Sequence, residues 1–278
     1  MADTKRVRRG AFRTSEEDLL VTQKIPRTPQ TESTAYRLAF NDLDFLCREE
    51  LRPIRLQLEL LKPEILLSEH GIESTVVIFG GARIPAPGES PEGKTKRVAQ
   101  KLKAKARYYE EARKFARLVS EASMERGGRE FVIISGGGPG IMEAANLGAH
   151  EVNALSIGLN IVLPVEQAPN RYVSPELSFQ FHYFGIRKMH FLLRARAIAC
   201  FPGGFGTLDE MFETLTLIQT GRVEPMPFVL FGEAFWKRII NFDALAEEGT
   251  ISKSDLDLFT FVDTAEEGWE IIRRYYDL

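Results

Sequence analysis

Glycine is concentrated at three places in this chain, each directly after a short apolar run. They read Phe79-Gly80-Gly81-Ala82-Arg83, Ser135-Gly136-Gly137-Gly138-Pro139-Gly140 and Phe201-Pro202-Gly203-Gly204-Phe205-Gly206-Thr207. The second and third run straight into segments with helical spacing. A glycine turn at a helix start exposes N–H groups without intrahelical acceptors, at the positive end of the helix dipole, and this suits a phosphate. The candidate phosphate ligands are therefore Gly136, Gly137, Gly138 and Gly140 from one turn, and Gly203, Gly204, Gly206 and Thr207 from the other. Arg83, after the first run, is a weaker one. A tight strand-to-helix turn alone explains one such loop, but two of this density exceed what turn-making requires. Neither loop fits G-x-G-x-x-G: the sixth position is Ile141 counted from Gly136 and Asp209 counted from Gly204. Neither fits a Walker loop, so a standard dinucleotide fingerprint and P-loop chemistry are both missing.

Below the third loop, residues 206–218 are amphipathic. Leu208, Met211, Phe212, Leu215 and Ile218 form an apolar stripe, with Thr207, Glu210 and Thr214 expected on another face. Glu210 lies near the helix start, where the dipole favours its ionised form. On its own that is an ordinary place for an acid. Beside a sugar ring, however, an ionised carboxylate can stabilise an oxocarbenium-like transition state and orient water. Arg187 is expected to begin a helix after a strand at 179–184, where its guanidinium could clamp a ligand and hold Glu210 charged. Lys188 is a candidate to support the phosphate. Glu143, at similar depth below the second loop, could reach ribose hydroxyls or be structural. Asp209 points about 100° away from Glu210 on a helix and reads as a surface or capping group. His182 and His190 are not spaced as a metal pair.

The elements that must position these residues follow from periodicity. Short apolar runs at 74–79, 131–134, 155–162, 179–184, 197–201, 227–231 and 259–262 alternate with helical patterns at 94–126, 141–152, 186–196, 206–219, 233–246 and 265–276. Apolar strands alternating with helices imply βαβ units and a parallel sheet covered on both faces. The fold class is α/β: a doubly wound, Rossmann-like, mainly parallel sheet, which binds ligands at the C-terminal ends of its strands. Residues 1–33 read as a flexible polar arm, 34–72 as a helical extension and 73–278 as the Rossmann-like domain. Pro53 and Pro63 are expected to divide the extension into two or three short helices.

The global properties exclude several function classes. A formal net charge of -3 gives no reason to expect a nucleic acid polymer or an anionic membrane as partner. The basic start, with Lys5, Arg6, Arg8, Arg9 and Arg13, has no apolar stretch after it, so it reads as a solvated arm and not a secretory signal. No apolar run reaches the roughly 18 residues of a membrane span. Cys47 and Cys200 stand far apart with no Cys/His cluster, which implies buried reduced thiols, a cytoplasmic protein and no metal site.

The segment Pro202-Gly203-Gly204-Phe205-Gly206-Thr207-Leu208-Asp209-Glu210 resembles the P-G-G-x-G-T-x-x-E motif of the LONELY GUY (LOG) family, whose members were long labelled lysine decarboxylases. Arg187, 23 residues before Glu210, stands where the family carries its catalytic arginine. Gly136–Gly138 and Gly140 with Met142, Glu143, Ala144, Ala145, Gly148 and Ala149 resemble the family's first glycine-rich helix start. The resemblance covers roughly residues 75–231 and fits the longer bacterial type. Gly81 stands where many members have serine. The resemblance implies a phosphoribohydrolase of the AMP nucleosidase type. It would cleave the N-glycosidic bond of a nucleoside 5′-monophosphate, AMP or a cytokinin riboside 5′-monophosphate, with Arg187 and Glu210 as catalytic pair and no cofactor. It also implies a homo-oligomer, a dimer or larger. Phe184, Met189 and residues 164–170 are candidates for base contacts. Two rivals remain: a pyridoxal-phosphate decarboxylase, which would need Lys188 as its Schiff-base lysine, and a non-catalytic nucleotide sensor, which would not need Arg187 and Glu210 together.

Overall fold

The computed structural model describes residues 12–91, 95–164 and 168–278. Lys5, Arg6, Arg8 and Arg9 of the expected arm, and residues 165–167 of the 164–170 loop, lie outside the described residues. The chain divides into two compact units, residues up to Gln57 and Leu58–Leu278. In the smaller unit, Ser15–Thr22 forms a helix, α1, inside the stretch expected to be irregular. A capping box nucleates it: Thr14 accepts from Glu17 N–H, and the Glu17 side chain accepts in return. A short turn of helix, α2 (Leu43–Leu46), follows, begun by the Asp42 side chain accepting from Phe45 N–H.

The helix α3 (Arg52–Glu69) is continuous and carries Pro63 inside it. The interruption expected at Pro63 is therefore corrected, whereas the stretch before α3 is divided into short helical turns and a boundary does fall beside Pro53. Pro53 sits in the first turn, where a missing N–H removes nothing. Pro63 removes one interior bond, and the carbonyl left over, that of Glu59, accepts from His190 Nε2 at 3.2 Å. A partner outside the helix thus offsets part of the interruption.

Among the described residues the larger unit holds seven strands: β1 (Thr75–Phe79), β2 (Val132–Ser135), β3 (Ser156–Ile161), β4 (Ser178–Phe181), β5 (Ala195–Cys200), β6 (Phe228–Phe231) and β7 (Thr260–Val262). They pair in the order β4-β3-β2-β1-β5-β6-β7, all parallel. This is the doubly wound α/β sheet that alternation implied. Its helices are α4 (Lys96–Lys103), α5 (Ala106–Glu125), α6 (Ile141–Glu151), α7 (Phe184–Leu192), α8 (Phe205–Gln219), α9 (Glu233–Ile239), α10 (Phe242–Glu247) and α11 (Ala265–Tyr275). The pattern at 233–246 is two helices where one was expected, because the Asn241 side chain accepts from Ala244 N–H and starts a new one. Alternate residues of each strand feed two cores. Val76 and Ile78 join Phe115, Ile141 and Ile272 on one face, while Val77 and Phe79 join Phe191, Met211 and Trp236 on the other. Each such side chain fully removed from water contributes roughly 1.5–3 kcal/mol.

Strands β1 to β4 step outward in one direction, and β5 to β7 in the other. The winding therefore reverses between β1 and β5, where adjacent loops leave in opposite senses and open a crevice beyond the strand ends.

Candidate functional site

A cavity of about 490 Å³ occupies that crevice, within the roughly 300–1,000 Å³ of small-molecule sites. The loops after β1, β2 and β5 form its floor, through Gly80–Ile84, Gly136 and Pro202–Gly204. The start of α8 completes it with Gly206 and Thr207. Gly204 is the N-cap of α8 and no side chain caps the helix. The first helical bond runs from Leu208 N to Gly204 O at 3.0 Å, so the N–H groups of Phe205, Gly206 and Thr207 precede the helical ladder. A Cβ on Gly203 would collide with the Thr207 side chain, so only glycine lets the threonine hydroxyl fold back on the loop.

Arg187 and Glu210 reach this cavity from α7 and α8, and both line it. Arg187 Nε donates to Leu159 O of β3 at 2.7 Å, and its guanidinium lies 5.1 Å from the Phe191 ring centre. The other side of the group passes over Gly136, where a Cβ would come within 2.7 Å of Nη2. The arginine is thereby held in one pose. Its Nη1 stands 3.8 Å from Glu210 Oε1, an ion-pair separation too long for a hydrogen bond. The two groups face one another as an ion pair on the cavity wall.

Burial changes the expected charge state of Glu210. Thr207, Glu210, Met211, Thr214, Leu215 and Ile218 are the buried residues of α8. The polar three lie within the buried stripe and not on a separate face. Burial pushes the Glu210 carboxyl up to about 7; Arg187 and then Lys188 pull it down, while Asp209 and Glu213 raise it. The dipole and the arginine were expected to keep it ionised. Desolvation outweighs them, and Glu210 is divided between both forms near neutral pH. Burial also lowers the Arg187 pKa, against the opposing pull of Glu210. Cys200, fully buried at the end of β5, has its thiol raised by burial and by Glu210. Cys47 is exposed, which corrects the expectation of two buried thiols.

Several expected ligands stand elsewhere. Lys188 Nζ lies 2.9 Å from both Asp209 and Glu213, and it lines a different groove, together with Met189. Asp209 therefore pairs with a lysine and caps nothing. Glu143 accepts from Tyr109 O–H at 3.0 Å and is not on the cavity wall. Of the second glycine run only Gly136 is on that wall. Gly137 and Gly140 turn the chain at φ of 71° and 69°, and Gly138 O accepts from Asn170 Nδ2 at 3.0 Å. Arg83 and Phe184 do line the cavity. Lys105 and Phe235 line it too, with Nζ 5.9 Å from the ring centre. Neither belongs to a motif; Lys105 enters because α4 ends at Lys103 and the chain bends before α5. Among the described residues no His, Cys, Asp and Glu group is arranged to hold a metal ion, and no helix is long and apolar enough to cross a membrane.

Fold and site together define a doubly wound α/β protein with a cavity at its switch point and a largely buried arginine–glutamate pair on its wall. A family model described as "Possible lysine decarboxylase" matches residues 142–272. Cytokinin riboside 5′-monophosphate phosphoribohydrolase LOG3 of Arabidopsis thaliana is 25% identical over 139 residues, 49% of this chain and 63% of that protein. The probable cytokinin riboside 5′-monophosphate phosphoribohydrolase LOG4 of Oryza sativa subsp. japonica is 26% identical over 143 residues, 50% of this chain and 61% of that protein. The chain thus spans about three fifths of the length of these relatives. A solved structure, the molybdenum cofactor binding protein of Rippkaea orientalis, superposes with a TM-score of 0.46 at 17% identity, covering 73% of this chain and 98% of that one. Over about half of its length the chain is therefore similar to proteins of the LONELY GUY family.

Proposed function

We propose that the cavity binds a nucleoside 5′-monophosphate and hydrolyses its N-glycosidic bond, releasing the base and ribose 5-phosphate. The observation that carries this reading is the pairing of Arg187 and Glu210 across 3.8 Å in the cavity floored by the Gly203–Thr207 turn. The phosphate sits at the open start of α8, among backbone N–H groups and the Thr207 hydroxyl, where the helix dipole favours an anion. That anchorage directs the ribose toward the buried pair. Ionised Glu210 stabilises positive charge developing at the anomeric carbon and accepts a proton from the attacking water. The water oxygen bonds to that carbon, the C–N bond breaks, and its electron pair leaves with the base, which takes up a proton. Arg187, fixed by Leu159 and Phe191, holds the ligand and keeps part of Glu210 ionised near pH 7. Phe184, Phe235 and Lys105 form part of the remaining wall, against which a flat base can lie.

Adenine monophosphates, AMP among them, are the first substrates to assay. Lys188 is engaged by two carboxylates, which argues against its use as a Schiff-base lysine. A homo-oligomer acting in the cytoplasm completes the reading. Exposed Met189 and Leu193 near the end of α7 and Phe205 at the start of α8 support self-association. Wild-type protein should release ribose 5-phosphate from AMP, and Glu210→Gln should not. Undiminished release by Glu210→Gln overturns the proposal.

A further inference from the structure

The helix α7 carries Arg187, yet nothing in its own sequence fixes its start. Its N-cap is Tyr183, and no side chain of the segment caps it. The missing cap comes from α3. Glu59 Oε1 accepts from His182 N–H at 2.8 Å and Oε2 accepts from Tyr183 N–H at 3.0 Å. The same residue holds the far half of α7 by its main chain: the carbonyl that Pro63 leaves without a helical donor accepts from His190 Nε2 at 3.2 Å. His190 is buried, so this bond is shielded from water. Just beyond α7, Arg194 pairs with Glu64 and donates to Ser68 Oγ at 3.1 Å.

Position and chemistry single out Glu59 among these contacts. Glu64, which also stands 3.4 Å from His190 Nδ1, and Ser68 grip the last turn of the helix and the chain beyond it, far from its start. Glu59 grips it at Tyr183, whose carbonyl receives the first helical bond of Arg187 at 3.1 Å. A shift of that turn moves the guanidinium relative to Leu159 and Glu210. A carboxylate accepting two backbone N–H groups at a helix start is a strong, charge-assisted anchor.

We propose that Glu59 is a positioning residue: by capping α7 from α3, it sets the reach of Arg187 toward Glu210. This rests on the reading of Arg187 and Glu210 as a working pair, but its geometry can be tested without turnover. The charged groups that act on Glu210 are Arg187 and Lys188 from α7 and Asp209 and Glu213 from α8. If the α7 start slackens, the attraction from Arg187 weakens and Glu210 protonates at higher pH.

The experiment is the carbon-13 titration of the Glu210 carboxyl, assigned through Glu210→Gln, in substrate-free wild-type, Glu59→Ala and Glu59→Gln proteins. In Glu59→Ala the midpoint should move above the wild-type value. In Glu59→Gln, whose single amide oxygen replaces one of two acceptors, it should move less. With AMP, kcat of Glu59→Ala should fall roughly 10- to 100-fold, the scale of a misplaced catalytic group, with a smaller change in KM. An unchanged Glu210 midpoint in both variants, with only a lower melting temperature, overturns the proposal. If Glu59→Ala does not fold, Glu59→Gln alone decides. Should AMP prove not to be turned over by the wild type, the carboxyl titration still decides the role of Glu59.

Discussion

The two glycine-rich turns look alike and are used differently. Both follow a central strand and open a helix. The turn at 202–207 presents Gly203, Gly204, Gly206 and Thr207 to the cavity, whereas the turn at 136–140 presents Gly136 alone. In the second case the glycines serve the fold: Gly137 lies against Asn160, and Gly140 passes the Gly81 carbonyl so closely that no side chain fits. Their acids differ in the same way. Glu210 is buried facing Arg187, while Glu143 is half-buried on Tyr109. Glycine density marks close approach of backbone, and it does not say whether the neighbour is a ligand or the protein itself.

Substitutions can break or sharpen this contrast. The largest effect should come from the two acids. Glu210→Gln should lower kcat for AMP by about a thousandfold or more, the scale of losing a catalytic carboxylate, whereas Glu143→Gln should change it less than about threefold. Equal losses in a ribose 5-phosphate release assay would erase the contrast. Next come the glycines. Gly203→Ala displaces the Thr207 side chain and should raise KM roughly tenfold or more. Gly137→Ala, strained at its positive φ, should instead lower stability by about 1–3 kcal/mol in denaturant titration, with KM little changed.

Proton linkage gives a third test. The Glu210 pKa is raised on folding from 4.5 to about 7, so the folded state binds the proton more tightly. Its contribution is most favourable below pH 4.5 and is lost as pH rises through about 7, on the order of 3 kcal/mol. Glu210→Gln removes that penalty. The variant should melt above wild type at pH 8, with the gap closing toward pH 5. A gap independent of pH would show that burial does not govern this carboxyl. In the active enzyme kcat should rise with pH through an acid limb near 7. The smallest effect is expected for Lys188→Met, less than about threefold on kcat/KM, because the lysine is spent on Asp209 and Glu213. A larger loss would place the lysine in the phosphate site after all.

Much of the fold was legible because buried parallel strands are apolar throughout. All seven expected runs are strands, shifted by three residues at most at either end. The continuity of α3 was not, because a proline reads as a break unless another element supplies a donor, here His190 from 131 positions away. The second helix at Phe242 was missed although Asn241 is a good cap, since the apolar spacing runs on through it. At the site, Pro202–Thr207, Glu210 and Arg187 were legible from motif and spacing. Lys105 and Phe235 were not, because a lysine after a charged helix and a phenylalanine in an apolar one look like any others.

By itself the amino-acid sequence determined the local things: which segments are strands, which turns need glycine, and which acid follows which helix start. Those follow from side-chain size, backbone freedom and periodicity, all short-range along the chain. The tertiary structure decided that the 202–207 turn presents most of its residues to the cavity and the 136–140 turn only Gly136, that Lys188 is tied to two carboxylates, and that Glu59 reaches the start of α7. It also set the charge of Glu210, because desolvation depends on everything packed around a carboxyl, whichever part of the chain it comes from.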